Sequence, residues 1–206
     1  MTAAEERIGG AGDLSATIQA AQRGDEDAFR HIYRRIQPAL LRYARVLVGS
    51  DAEDVTSETW LQIARGFGSF TGGEDEFRAW SATIMRNRAL DHLRQARRRP
   101  AITLPDEVLA ELNTYPDTAD QALRKLASQR ALRMIASLPP DQAEAVLLRV
   151  VMGLDANSAA QVLGKRSGAV RTAAYRGLRR LGEMLHAEQR RDMIPQQRDP
   201  DHGGRV

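Results

Sequence analysis

With 206 residues, 42% of them hydrophobic, the chain is sized for one or two domains, and this apolar content suits two small helical cores better than one large one. It contains no cysteine, which excludes disulfides, thiol nucleophiles and cysteine-ligated zinc, and no apolar run approaches the roughly 20 residues that span a bilayer. Thirty Lys and Arg against 27 Asp and Glu leave a net charge of only +3, so strong electrostatic surfaces must arise by clustering; a soluble, cytoplasmic protein without direct membrane insertion is expected.

Residues 1–13 (MTAAEERIGGAGD) are acidic and Gly-rich and are expected as a flexible arm. From Leu14 the apolar positions take helical spacing: Leu14, Ile18 and Ala21, then Phe29, Ile32, Tyr33, Ile36, Leu40, Leu41, Ala44 and Leu47. Gly24 and Asp25 separate two helices, the first by stopping one and the second by capping the next. Ser50-Asp51-Ala52-Glu53 has the spacing of a capping box and leads into Val55, Thr59, Trp60 and Ile63. Gly66, Gly68, Gly72 and Gly73 then mark a loop that carries Phe67 and Phe70.

The next helix, from Phe77 to Arg99, sets seven arginines against one acid, Asp91. Trp80, Ile84, Leu90 and Leu93 are expected to face a core, with Arg86, Asn87, His92, Arg94, Arg97 and Arg98 on other faces. Such a charge attracts phosphates, and aromatics beside Arg and Asn suit unstacked bases. The same residues also fit a solvated basic helix with Trp80 in the core. Pro100 ends the run, and up to Leu123 every charged side chain is acidic, among Pro105 and Pro116, which reads as an extended, flexible linker over 99–125.

In the second unit, expected over 126–186, Leu126, Leu132, Ile135 and Leu138 share a helical face, Pro139-Pro140 starts a new helix, and Ala143, Val146, Leu147 and Val150 continue the apolar stripe. A short helix from Asp155 to Leu163, closed by Gly164, precedes a longer one that Ser167 can cap. This is helix-turn-helix architecture, with Ala159, Ala160, Ala173 and Ala174 small enough for a close crossing. Lys165, Arg166, Arg171, Arg176, Arg179 and Arg180 meet no acid before Glu183, as expected of a DNA-binding helix. Residues 187–206 lack a periodic stripe and are expected to be disordered.

Catalytic patterns are scarce. The four histidines have no metal-ligand spacing, and there is no P-loop or Gly-x-Ser-x-Gly. Asp51, Glu53, Asp54 and Glu58 form a charged helix face better suited to a basic partner than to a cation. The expectation is a protein that is not an enzyme and that needs neither cofactor nor metal.

Two stretches carry a resemblance. GDEDAF (24–29), DAEDVTSETW (51–60), FRAW (77–80) and IMRNRALDHLR (84–94) are similar to region 2 of the extracytoplasmic-function group of the bacterial sigma-70 family, and LPPDQAEAVLLRVVMGL (138–154) with SGAVRTAAYRGLRRL (167–181) is similar to its region 4. The resemblance implies an all-α fold of two small helical domains joined by a flexible acidic linker, the second a helix-turn-helix, and a transcription initiation factor that binds core RNA polymerase and promoter DNA. It implies polymerase docking, on the clamp coiled coil, through Asp51, Asp54, Val55, Glu58 and Trp60, with the flap as a further polymerase contact. It implies minus-10 binding through Phe70, Trp80, Arg86, Asn87, Arg88, His92 and Arg94, including capture of a flipped base, and minus-35 binding through Arg166, Ser167, Arg171, Thr172, Tyr175, Arg176 and Arg179. Ser57 stands where the family usually has Gln. The group is commonly held inactive by an anti-sigma partner, which is therefore a further expectation. The alternative is a helix-turn-helix repressor or activator that acts without stoichiometric polymerase binding.

Overall fold

A computed structural model describes residues 14–98 and 119–192, and all regular elements among them are helical. The expectations for the arm at 1–13, for the linker between 99 and 118 and for the tail beyond 192 lie outside these residues. The first domain holds α1 (Ser15–Gln22), α2 (Glu26–Val48), α3 (Ala52–Gly66) and α4 (Glu74–Arg98); the second holds α5 (Ala119–Ala136), α6 (Pro140–Val146), α7 (Ala156–Leu163) and α8 (Ser167–Asp192).

Local signals fix most of the breaks. Gly24 turns at φ +97°, and the Asp25 carboxylate accepts from the N–H groups of Asp27 and Ala28, both at 3.0 Å, so two orphan donors of α2 are satisfied. Gly164 takes the left-handed conformation that ends α7. The expected capping box at Ser50 does not form: a 3₁₀ turn over Gly49–Asp51 leads into α3, and the Ser50 hydroxyl is bonded to the Asp51 carboxylate instead. Two boundaries also move. Helix α5 starts at Ala119, inside the segment expected as linker, because no proline or glycine interrupts the chain from there to Pro139. Helix α8 runs to Asp192, past 186, and Arg130 of α5 pairs with Glu188 in this extension.

The core of the first domain is built on Phe77, Ser81, Met85 and Ala89 of α4, all fully buried against Ile32, Leu40, Tyr43 and Ile63. This inner stripe corrects the expected one: of Trp80, Ile84, Leu90 and Leu93 only Ile84 is buried, and the others flank the contact. Small Ser81, Ala82 and Ala89 let α4 lie close to its neighbours, so backbone proximity decides the face rather than side-chain size. In the second domain a π-helical turn over Leu147–Val151, with Met152 N–H bonded to Leu147 C=O at 2.9 Å, inserts an extra residue after α6. It rotates the following chain so that Met152 is buried and Val150, expected inward, is exposed; Leu126 is likewise exposed. Helix α8 crosses α6 at Gly177, where a Cβ would stand 2.7 Å from Val146 Cγ2 and 3.3 Å from the Gln142 carbonyl oxygen.

The domains touch. Their buried residues join one cluster, α7 packs across α4, and α5 and the π turn meet α2.

Helix α1 is tied to α4 by Glu74, whose carboxylate accepts from the Leu14 N–H at 3.1 Å and pairs with Arg78 and, at 3.3 Å, with Arg35. Burial pushes the Glu74 carboxyl up, but the Leu14 hydrogen bond and the two arginines outweigh it and hold it below the ordinary glutamate value. A depressed folded-state pKa means stability that is present above the unfolded value and lost as pH falls through the folded one. Glu74→Gln is therefore expected to remove part of the acid sensitivity, read as a flatter dependence of unfolding free energy on pH below the ordinary glutamate range in denaturant titrations.

Candidate nucleic-acid interface

The exposed side of α8 assembles the second-domain residues. Asp155 accepts from Ser158 N–H at 2.6 Å to start α7, and Lys165 in the turn pairs with Asp141 of α6 at 2.7 Å, which fixes the turn against the domain. Val170 and Ala174 anchor α8 in the core. Arg171, Thr172, Tyr175, Arg176 and Arg179 then follow one another along the opposite, exposed side, with Tyr175 68% exposed. Arg166 is exposed in the turn, and Ser167, half-buried as the first residue of α8, accepts from Arg171 Nη2 at 3.2 Å. A stripe that is cationic, carries an aromatic phenol and stands clear of the domain fits a DNA groove.

In the first domain the expected residues divide. Phe70 stacks on Trp80 with ring centroids 5.0 Å apart and an interplanar angle of 29°, and Phe77 braces both from below at 5.4 and 5.7 Å. The loop bearing Phe70 is held by Gln22 of α1, whose amide donates to the carbonyl oxygens of Phe67 at 3.0 Å and Phe70 at 2.6 Å. About two turns further along α4 than Trp80, Asn87, Arg88, Leu90, Asp91 and Arg94 line a cleft of about 310 Å³ with Gln62 of α3. Gln62 was not singled out by the sequence, yet its side-chain oxygen accepts from Arg88 Nε at 2.7 Å and fixes that guanidinium across the cleft. Its signal was available only as a polar residue between Trp60 and Ile63 on α3. Arg94 is paired with Asp91 at 2.8 Å on the surface. His92 lies instead 2.7 Å from Asp51, which joins an expected strand-binding residue to an expected polymerase-docking one.

Arg86 leaves the group. Its guanidinium is turned to the second domain, where it meets Glu144 with both Nε and Nη2 at 3.2 Å.

The acidic face of α3 consists of Asp51, Asp54 and Glu58, all exposed, continued by Leu61 at 58% exposure, a residue the sequence reading did not include although it lies three positions after Glu58. Val55 and Trp60 do not reach this face: Val55 is in the core, and Trp60 is buried with its indole N–H on Gln37 and its ring 4.7 Å from Tyr33. Both are the apolar side of the same amphipathic helix, so they support the acids from within.

No group of three His, Cys, Asp or Glu side chains among the described residues is arranged to hold a metal ion, and no described helix is long and apolar enough to cross a membrane.

Comparison with known proteins matches this chain to sequence profiles described as Sigma-70 region 2, over residues 32–99, and Sigma-70 region 4, over residues 128–181. The chain is 37% identical over 171 residues to the ECF RNA polymerase sigma factor BldN of Streptomyces coelicolor, covering 82% of this chain and 64% of that protein. It is 32% identical over 183 residues to SigD of Mycobacterium tuberculosis, covering 84% of each. Among solved structures, CnrH in complex with the cytosolic domain of CnrY aligns with a TM-score of 0.56 at 22% identity, over 84% of this chain and 97% of that one. The sigma factor RpoE in complex with the anti-sigma factor NepR from Bartonella quintana aligns with the same score at 23% identity, over 78% and 98%. At these identities the two structures share the fold with this chain.

Proposed function

The chain belongs to the sigma-70 family, in its extracytoplasmic-function group, and from that premise we propose that it directs core RNA polymerase to promoters by dividing recognition between its two domains. As members of this family are not enzymes, the chemistry belongs to the polymerase. The exposed stripe of Arg171, Thr172, Tyr175, Arg176 and Arg179 on α8 is the observation that carries the reading, since a cationic helix standing clear on a helix-turn-helix has the shape and charge for the major groove of the minus-35 element. The cleft between α3 and α4 takes the melted minus-10 strand, with Asn87 offering an amide to a base edge and Arg88 a guanidinium oriented by Gln62. The Asp54, Glu58 and Leu61 face of α3 docks on the polymerase clamp, and an anti-sigma factor, as named for the Bartonella protein, is part of the same proposal.

Two measurements test these assignments. Reversing Asp54 and Glu58 to Lys should weaken the binding of the full chain to core polymerase in a pull-down while leaving duplex minus-35 binding unchanged; undiminished capture of core would remove α3 as the docking face. A repressor of duplex operators would not bind core stoichiometrically even as wild type. Asn87→Ala should reduce open-complex formation and relax preference at one minus-10 position, a loss of about 1–3 kcal/mol if a base contact goes with it. Gln62→Ala should lower affinity for melted template and leave base preference intact, because it releases Arg88 without removing a reading group. Equal activity on pre-melted and duplex templates across all minus-10 substitutions would end the strand-capture assignment.

A further inference from the structure

Leu14, Ile18 and Gln22 recur every four residues on one side of α1, and the two aliphatic members are fully buried. At the third position a carboxamide stands where another aliphatic side chain would continue the core contact. Its Nε2 donates to two main-chain oxygens of the aromatic loop, those of Phe67 and Phe70. The Phe67 oxygen accepts from the Phe70 N–H as well, at 3.2 Å, so the 3₁₀ turn over Phe67–Ser69 is closed from inside and clasped from α1. The far end of the loop rests on the same helix: a Cβ on Gly73 would stand 2.7 Å from Ser15 Oγ, and the Gly73 N–H donates to the Glu76 carboxylate at 2.9 Å. Gly72 turns between them at φ +137°, where a Cβ would lie 3.3 Å from Phe70 Cζ. On α3, Gly66 leaves room for the indole, since a Cβ there would stand 3.0 Å from Trp80 Cζ2.

Packing alone does not call for a carboxamide at position 22, because a methionine of similar length would fill the same space. What glutamine adds is the pair of bonds to the loop. Phe70 and Trp80 are both half-buried, so their stack keeps an outer aromatic face toward solvent. A ring carried on a loop with glycines at 66, 68, 72 and 73 has many conformers open to it, and ordering it at the moment of binding costs entropy. We propose that Gln22 is a positioning residue for strand capture: it fixes the Phe67 and Phe70 carbonyls before any nucleic acid arrives, and so holds the Phe70 ring on Trp80 as a ready platform for an unstacked base. Gln22 itself touches no base. The proposal rests on the reading that gives Phe70 and Trp80 to the melted minus-10 strand.

The test uses the full chain and takes two readouts, one without nucleic acid. Gln22→Met removes the donor and keeps the length, whereas the ammonium of Gln22→Lys can still donate to main-chain oxygens. Hydrogen exchange across residues 67–76 of the free protein should speed up in Gln22→Met and return toward wild type in Gln22→Lys. Binding of a fluorescent single-stranded oligonucleotide of mixed sequence should weaken about tenfold in Gln22→Met, the loss expected when a tenth of the chains hold the loop in its competent form. That loss should vanish in a Phe70→Ala background, since the glutamine acts through this ring. Unchanged exchange in Gln22→Met, or a strand-binding loss that persists undiminished without the Phe70 ring, would overturn the proposal. So would a Phe70→Ala variant that binds strand poorly while Gln22→Met binds it as wild type does. Faster loop exchange with strand affinity unaltered in both Gln22→Met and Phe70→Ala would uphold Gln22 as the residue that sets the loop and count against Phe70 as a strand contact.

Discussion

Replacing Phe77 by alanine is expected to destabilise the chain by about 3–5 kcal/mol, the range for removing a buried aromatic ring. Phe77 is fully buried and its ring edges meet Phe67 at 5.8 Å, Phe70 at 5.4 Å and Trp80 at 5.7 Å, so the vacated space is bounded by rings that are themselves tied to α1 and α3 and cannot collapse into it. The loss should appear in denaturant unfolding. Phe77→Leu, which keeps much of the volume, is expected to cost less. At concentrations where the variant remains folded, weaker binding to melted minus-10 template should accompany the loss, because the Phe70–Trp80 stack loses its floor. Melted-strand affinity equal to wild type would show that the stack does not depend on Phe77.

The second large effect separates reading from anchoring on α8. Arg171 stands one turn into the helix beside Ser167, at the end that enters the groove, whereas Arg179 is two turns further on and paired with Glu183 at 2.9 Å. That pair is exposed and i,i+4, so exchanging the carboxylate for a phosphate costs little. Arg171→Ala should weaken cognate minus-35 binding by about 1–3 kcal/mol and flatten discrimination at one or two positions. Arg179→Ala should weaken all sequences alike and reduce the salt slope by about 1. A panel of minus-35 variants titrated at two or more salt concentrations decides it: a uniform loss for Arg171→Ala would make it an anchor.

The helix breaks at Gly24-Asp25, Pro139-Pro140 and Gly164 were legible because each depends on a residue's own backbone preference or on a cap a few positions away. The α8 stripe was legible for the same reason: one long helix with a regular spacing keeps its faces. Periodicity failed at Val150, where a π turn changes the angle per residue, and on α4, where small residues rather than large ones mark the inner face. Val55 and Trp60, expected with the acids of α3, lie on its buried side, a partition that follows from which face of the amphipathic helix meets the core. The Arg86–Glu144 pair joins residues 58 positions apart, and the Gln62–Arg88 bond joins residues 26 apart; neither leaves a trace in local spacing, since each exists only once helices are brought together.

The grip of Gln22 on the Phe67 and Phe70 carbonyls bears on where this domain can be cut. Similarity to the family's region 2 begins at residue 32, and a fragment trimmed to that point would still contain every side chain assigned to the minus-10 strand. It would nonetheless lack Leu14 and Ile18 from its core, the amide that sets the aromatic loop, and the backbone donor that meets Glu74. A fragment intended for crystallisation or strand-binding assays should therefore start no later than Leu14, since trimming to the family boundary would keep the DNA-contacting residues and discard the splint that sets them.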